Sequence, residues 1–210
     1  MPMRLLSAVL SPTECCSLII LAKMFELIYP IPDNSVQQGE EDFPLVDETG
    51  TVVGRATRKY CHSGSMALHA VVHLHIMNSV GELYLQKRSM KKDIAPGRWD
   101  TAVGGHIDYG EYVKDALARE AREELGVDIA DLNPRPLFNY IWQSSVEREV
   151  VNAFAIVYEG KITPDHDEVD EGRFWNMDEL KSMLGKDVFT QQFEQQELPR
   201  LIKFFEENEK

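Results

Sequence analysis

The sequence predicts an α+β fold, because strand-like runs recur along the chain and one acidic segment in its middle has the composition of a helix. Residues 115–125 are mainly Ala, Leu, Glu and Arg, which are strong helix formers, and Gly126 stands where a left-handed helix stop is expected. The chain has 210 residues, of which 43% are hydrophobic, so it is long enough to bury a substantial core in one domain.

The beginning of the chain differs from the rest. We predict an N-terminal segment and linker at residues 1–42 and a domain with a C-terminal helix at residues 43–210. Residues 1–24 are mainly apolar, but Pro12, Glu14 and Lys23 interrupt them, which is unfavourable for a transmembrane helix or a signal peptide. They are interpreted as an accessory segment or as an extension upstream of an initiating Met24.

The domain is predicted to begin with a hairpin, because two short apolar runs flank a turn at residues 48–50. In the next strand, His73 and His75 alternate with apolar residues and are expected on a polar, solvated face. The tail is predicted to be helical, with Pro199 as a break or a restart. Later strands are predicted at residues 70–77, 83–89, 136–143, 148–160 and 172–177, and helices at residues 177–184 and 187–210.

Three glutamates share one face of the predicted central helix. Glu120, Glu123 and Glu124 fall within a sector of roughly 100°, and Glu120 and Glu124 form a like-charged i,i+4 pair. Such a cluster is unfavourable unless a cation lies among the carboxylates, and oxygen-only ligands suit Mg²⁺ or Mn²⁺. A solvated acidic helix face is the alternative interpretation.

The spacing of glycines and charged residues around this helix resembles the box that defines the Nudix family. The resemblance implies an α/β/α sandwich with a mixed sheet, on which the box forms a loop-helix-loop. It also implies a divalent metal, Mg²⁺ or Mn²⁺, bound by Glu120, Glu123, Glu124 and the Gly105 carbonyl. The matching residues are Gly105, Glu111, Arg119, Glu120, Ala121, Glu123, Glu124, Gly126 and Val127.

The family resemblance also implies roles for the box side chains. Glu111 and Arg119 are expected to form a structural ion pair between loop and helix. Glu120 is the first choice for polarising the attacking water or for holding the metal that does so, and Glu123 is the second catalytic candidate.

The chemistry implied by the resemblance is attack of water on a phosphorus atom within a diphosphate. Metal ions neutralise both the anionic substrate and the acidic site, and they lower the pKa of a bound water. In this family the general base sometimes lies on a later loop, where Glu168 and Glu171 are candidates. Lys87 and Arg88 begin a basic cluster that leads into the box loop, and they are predicted to contact substrate phosphates.

A second resemblance is to isopentenyl diphosphate isomerases of the Nudix type. These enzymes need a cysteine to move a proton on and off carbon, and here Gly104 occupies that position. The isomerase box also typically lacks the glutamates that match Glu120 and Glu123, which are both present. The resemblance implies a second metal site, zinc or manganese by its ligand chemistry, at His62, His69, His106, Glu147 and Glu149.

The leading hypothesis is therefore a metal-dependent hydrolase of a nucleoside diphosphate derivative or a related organic diphosphate. An isomerase of isopentenyl diphosphate and a non-catalytic nucleotide sensor remain as alternatives. The net charge of −13 argues against nucleic acids and anionic membranes as partners, while a small diphosphate and a homodimer stay open. Three cysteines without a disulfide pattern predict a cytoplasmic location.

Overall fold

The computed structural model describes residues 41–92 and 94–208. The predicted N-terminal segment and linker at residues 1–42 lies outside this part of the chain except for its last two positions, so the domain division stays a prediction. None of the helices in the described ranges combines the length and the apolar character needed to cross a membrane.

The described residues form a mixed sheet of nine strands and a small number of helices. The strands are β1 (Asp42–Val46), β2 (Val52–Thr57), β3 (Leu68–Met77), β4 (Leu83–Arg88), β5 (Trp99–Asp100), β6 (Val103–His106), β7 (Arg135–Gln143), β8 (Arg148–Val157) and β9 (Val169–Trp175). The helices are α1 (Arg58–Cys61), α2 (Val113–Leu125), α3 (Met177–Met183), a π-helical turn (Phe193–Glu197) and α4 (Leu198–Asn208).

The predicted elements are confirmed in type. The hairpin of β1 and β2 turns at Gly50, which has a φ of 81°, a left-handed conformation that glycine adopts without strain. The predicted central helix is α2, and it ends at Gly126 with a φ of 63°. The tail is helical from residue 191 to residue 208, and Pro199 lies inside this run, just after the π-helical turn, so it marks an irregularity within one helix and not the restart of a second.

Strand β3 is the centre of the sheet. It pairs in parallel with β8 along ten residue pairs and antiparallel with β1, β4 and β6. All ten of its residues are buried, so both of its faces are covered. The expectation that His73 and His75 lie on a solvated face is therefore wrong: their exposed fractions are 7% and 0%.

Helices cover both faces of the sheet, as the predicted α/β/α sandwich requires. On one face, the apolar stripe of α2 packs against Ala70, Val72 and Leu74 of β3. On the other face, the π-helical turn and α4 pack against β4 and β9, with Phe193 and Leu201 fully buried. The C-terminal segment therefore covers the sheet face with His73 and His75, which the alternation of apolar and polar residues predicted to be solvated.

Candidate active site

A cleft of about 700 Å³ opens between α2, strand β6, the loop after β4 and the C-terminal segment. It brings together residues that are far apart in the sequence but were predicted to act together. The predicted residues that line it are His62, Arg88, Gly105, His106, Arg119, Glu120, Glu123, Glu124, Glu147 and Glu149.

Arg119 ties the box loop to the box helix. Its Nε and Nη2 donate to the two oxygens of Glu111 at 3.0 and 2.9 Å, the bidentate geometry in which an arginine–carboxylate pair is strongest. Nη2 also donates to the His106 carbonyl at 3.0 Å, and Nη1 donates to Glu120 at 2.7 Å and to Glu123 at 3.3 Å. One guanidinium thus fixes the loop and orients the glutamates of the helix.

Glu120 lies directly against the backbone of Gly105. A Cβ at position 105 would lie 2.0 Å from the Glu120 Cδ, so a side chain here would displace the Glu120 carboxylate. Glycine at this position is therefore what lets the helix carboxylate approach strand β6. The contact also places the Glu120 carboxylate next to the backbone segment that was predicted to supply a metal ligand.

Glu124 is buried beside Glu120, and the charge of Glu120 opposes ionisation of Glu124. Its Oε2 accepts hydrogen bonds from Gln86 Nε2 at 3.0 Å and from the Gly104 N–H at 3.3 Å. Burial, followed by the Glu120 charge, raises the pKa of Glu124 to about 7, and burial also raises the pKa of Glu120. Crowded, buried carboxylates with only oxygen donors fit a hard divalent cation such as Mg²⁺ or Mn²⁺.

Three imidazoles form a second candidate metal site. The possible ligand atoms of His62, His69 and His106 all lie within 4.8 Å of one another, and the Nε2 atoms of His62 and His106 are 3.0 Å apart. The Nδ1 of His69 is 3.1 Å from the Ala67 carbonyl, so its proton is held there. The Nε2 of His69 is buried and finds no hydrogen-bond partner within the described ranges, which fits a nitrogen that coordinates a metal.

The local environment keeps His62 and His106 neutral. Burial, followed by the charge of Arg58, lowers the pKa of His62 to about 4. Burial and the same arginine also lower the pKa of His106. A neutral imidazole has a free lone pair, so the arrangement favours a cation and disfavours an anion.

Two carboxylates complete this set. Glu149 stands next to His69 because β3 and β8 run in parallel register, and its Oε1 is 3.9 Å from the His69 Nε2. The Glu147 Oε2 is 3.5 Å from the His62 Nε2. Burial, followed by the charge of Glu149, raises the pKa of Glu147 to about 7. A mixture of imidazole and carboxylate donors suits zinc or manganese.

Basic side chains line the cleft on the side of the loop that follows β4. Arg88 and Lys92 both face it, and Arg58, which the sequence analysis did not single out, faces it from α1. Lys87 does not: it is not among the residues that line the cleft, and its ammonium lies 3.8 Å from Glu171. Neighbouring residues of a strand point to opposite faces, so the predicted pair Lys87 and Arg88 divides between two sides.

An acidic loop lines the cleft beside these cations. Glu168 lines the cleft and forms an ion pair with Lys92, whereas Glu171 pairs with Lys87 outside it. The Asp165 N–H donates to the Glu124 carbonyl at 2.8 Å, so this loop is fastened to the end of α2. Of the two loop glutamates considered from the sequence, only Glu168 is placed to meet a substrate in the cleft.

The sequence analysis missed part of this cleft. His73 lines it, and the segment Thr190–Gln192 also reaches it from the C-terminal part of the chain. Of the two aromatic residues of β7 that the sequence offered for stacking on a base, Trp142 lines the cleft and Tyr140 does not, although both are 8% exposed. The alternation of β3 put His73 on the same strand face as His69, but nothing local indicated that this face borders a cleft.

Comparisons with known proteins identify the family. The NUDIX domain family matches residues 66–193. An uncharacterized Nudix hydrolase of Nostoc sp. is 34% identical over 137 residues, covering 64% of this chain and 79% of its own length. An isopentenyl-diphosphate Delta-isomerase of Mycolicibacterium vanbaalenii is 36% identical over 129 residues, covering 60% of this chain and 71% of its own length.

Solved structures agree with the fold. DR0079 from Deinococcus radiodurans superposes with a TM-score of 0.64 at 26% identity, covering 74% of this chain and 96% of that one. A MutT protein from Methanosarcina mazei Go1 has the same fold, with a TM-score of 0.56 at 22% identity over 68% of this chain and 96% of that one. Since the family match spans more than half of the chain, this protein belongs to the Nudix hydrolase superfamily, in the subgroup related to isopentenyl-diphosphate isomerases.

Proposed function

We propose that this protein is a metal-dependent hydrolase that cleaves the diphosphate linkage of a nucleoside diphosphate derivative or a related organic diphosphate. One observation carries the proposal: Glu120, Glu123 and Glu124 all line a cleft that Arg88 and Lys92 also line. Acidic groups for a cation and basic groups for phosphate oxygens are what an anionic substrate and its metal need together.

We assign phosphate binding, metal binding and proton transfer to different residues of the cleft. Arg88 and Lys92 hold phosphate oxygens, and Arg119 keeps Glu120 and Glu123 aimed at the cleft. Glu120, Glu123, Glu124 and the Gly105 carbonyl are the proposed ligands of Mg²⁺ or Mn²⁺. When bound, the metal neutralises the substrate and lowers the pKa of the attacking water. Glu168, outside the box, is the proposed proton acceptor for that water, because it lines the cleft.

The histidine set is proposed as a separate site for a divalent ion. Neutral imidazoles at His62 and His106, the unpaired Nε2 of His69 and the nearby carboxylates of Glu147 and Glu149 fit zinc or manganese better than magnesium. Its place in the same cleft means that an ion there adds positive charge for the substrate.

Isomerisation of isopentenyl diphosphate is the second candidate, and the histidine set together with the names of several relatives favours it. Against it stands Gly104, which lacks a side chain to transfer protons at the position that the resemblance assigns to a cysteine. The intact box glutamates favour hydrolysis, so we place hydrolysis first.

The test is a screen of the purified protein against a panel of organic diphosphates with Mg²⁺ and with Mn²⁺, reading phosphate after coupling to a phosphatase. Glu124→Gln removes a charge without changing shape, and we expect it to lower the rate by at least about a hundredfold, more than loss of an outer metal partner typically costs. Glu171→Gln is the matched control outside the cleft and keeps the wild-type rate. If the whole panel stays intact while isopentenyl diphosphate is isomerised, hydrolysis is the wrong assignment.

A further inference from the structure

A carboxylate buried in the C-terminal layer lies directly behind the cleft wall. Glu197 is completely buried, and its Oε1 is 2.5 Å from the Nδ1 of His73 and accepts a hydrogen bond from the Tyr140 hydroxyl at 2.7 Å. Its Oε2 lies 3.5 Å from the Nε2 of His75. A buried carboxylate costs several kcal/mol unless a cation and hydrogen bonds compensate it, so this cluster is more than ordinary core packing.

His73 connects this buried carboxylate to the cleft. It lines the cleft, while His75, which approaches the same carboxylate, is fully buried and does not. His73 is paired in register with Gly104 of β6. A Cβ at position 104 would lie 3.3 Å from the His73 Nε2 and 3.5 Å from its Cδ2, so the missing side chain of Gly104 is what opens this nitrogen to the cleft.

The open nitrogen lies near a proposed metal ligand of the cleft. The N–H of Gly104, the residue that uncovers His73, donates to Glu124 Oε2, a proposed metal ligand, at 3.3 Å. No hydrogen bond within the described ranges uses the His73 Nε2, because the contact with Glu197 is made through Nδ1. The imidazole is held by one nitrogen and presents the other to a ligand.

The charge of His73 fits an anionic ligand. Burial alone would lower the pKa of His73, but the Glu197 charge and its hydrogen bond outweigh burial and raise it to about 9. Burial would also raise the pKa of Glu197, but His73 and His75 lower it to about 2. With both ring nitrogens protonated, the one that faces the cleft is a charged hydrogen-bond donor.

We propose that the Nε2–H of His73 hydrogen-bonds an anionic oxygen of the substrate's diphosphate, and that Glu197 is a positioning residue that holds the imidazole through Nδ1. The inference rests on the proposed function and deepens it, because it names a phosphate ligand outside the box and outside the basic loop. Tyr140 supports the same carboxylate and does not touch the substrate.

The direct test uses the wild-type protein with Mg²⁺ and imidodiphosphate, a diphosphate mimic whose bridge is not hydrolysed. The side-chain nitrogens of histidine are labelled with ¹⁵N, and the His73 signals are assigned by their loss in His73→Gln. We expect the His73 Nε2 signal to shift at saturation while the His75 signals stay in place. An unmoved Nε2 signal, or no binding of the probe at millimolar concentration, overturns the inference.

Two variants test the same contact by affinity, measured by calorimetry with the same probe. His73→Gln is expected to weaken binding about tenfold to a hundredfold, as loss of a charged donor to an anion should. Gly104→Ala places a methyl group beside Nε2 without touching the Glu197 contact, and it is expected to weaken binding while the Nδ1–H signal persists. Wild-type affinity in both variants contradicts the proposal.

The outcomes separate this inference from the proposed function. If organic diphosphates are hydrolysed but the His73 signal does not move, the function stands and the role of His73 is wrong. If the signal moves but none of the panel is hydrolysed, His73 is an anion ligand and the proposed reaction is wrong. For Glu197→Gln we expect a rise in KM with a smaller change in kcat, which a purely structural role would not produce.

Discussion

His62 and His106, on the one hand, and His73, on the other, line the same cleft but have different surroundings. Burial, followed by the charge of Arg58, lowers the pKa values of His62 and His106, so both rings are neutral and have a lone pair free for a cation. His73 is held by the buried carboxylate of Glu197, and its pKa is raised to about 9, so it suits an anion. His69 and His73 are four residues apart on one face of β3. The comparison teaches that burial and the nearest charged side chain, more than the residue type, decide whether an imidazole binds a cation or an anion.

The largest expected effect is on metal affinity. His69→Gln removes the ligand whose Nε2 is left without a partner, and we expect it to weaken binding of zinc or manganese to the histidine set by more than about a hundredfold. His73→Gln is the matched change on the same strand face, and it should leave that affinity unchanged or slightly higher because it removes a nearby positive charge. Calorimetry on protein stripped with a chelator measures both, and equal losses would mean that the two groups act as one site.

The next largest effect is on stability. Glu197→Ala leaves a buried imidazolium without its counter-charge, which we expect to lower the free energy of unfolding by about 3–5 kcal/mol and Tm by roughly 6–20 °C. Glu149→Ala removes a carboxylate near His69, and its cost should stay below about 1.5 kcal/mol. Thermal unfolding of the metal-free proteins provides the comparison. A larger loss for Glu149→Ala would contradict the proposed difference between the two groups.

The pH dependence of stability should follow the raised pKa of His73. A group whose pKa rises from 6.5 to about 9 on folding contributes fully below pH 6.5, and its contribution fades as the pH rises towards 9. The carboxylate partner, with its pKa lowered to about 2, contributes above about pH 4.5. The stability difference between wild type and His73→Gln should therefore be largest between about pH 4.5 and 6.5 and shrink by pH 9, as measured by urea unfolding. A difference that grows above pH 7 would show that His73 is neutral.

The smallest expected effect is a gain in stability, in contrast to the losses predicted above. Burial and the charge of Glu149 raise the pKa of Glu147 to about 7. In the metal-free protein at pH 8, the negative charge of Glu147 is therefore unfavourable for folding. Glu147→Gln should therefore stabilise the metal-free protein at pH 8 by on the order of 1 kcal/mol, and this gain should vanish near pH 4.5. Urea unfolding with a chelator present measures it, and destabilisation at pH 8 would mean that the charge is already compensated.

Much of the fold and the box could be predicted from the sequence because the signals are local. The composition of residues 115–125 and Gly126 define α2, and the ion pair between Glu111 and Arg119 joins residues only eight positions apart. Short-range spacing is enough to predict such contacts. Strand positions were predictable for the same reason, since alternation is read within a few residues.

The remaining part of the site depends on contacts across the whole chain. His73 and Glu197 are 124 residues apart, and their contact depends on how the C-terminal segment packs against β3. Alternation placed His73 and His75 on one face but did not predict that helices would cover it. It also did not predict which of the neighbours Lys87 and Arg88 would face the cleft, because that depends on the sheet into which β4 is built.

The position of Glu197 late in the chain has a consequence for the order in which the site is made on the ribosome. All proposed ligands of both metal sites have been synthesised once Glu149 has emerged, whereas the carboxylate that holds His73 follows 48 residues later by the numbering of the sequence. During that interval the nascent chain already carries its proposed cation ligands, as well as Arg88 and Lys92, but the carboxylate that holds His73 is missing. The contact between His73 and Glu197 is thus the last part of the proposed site to be completed.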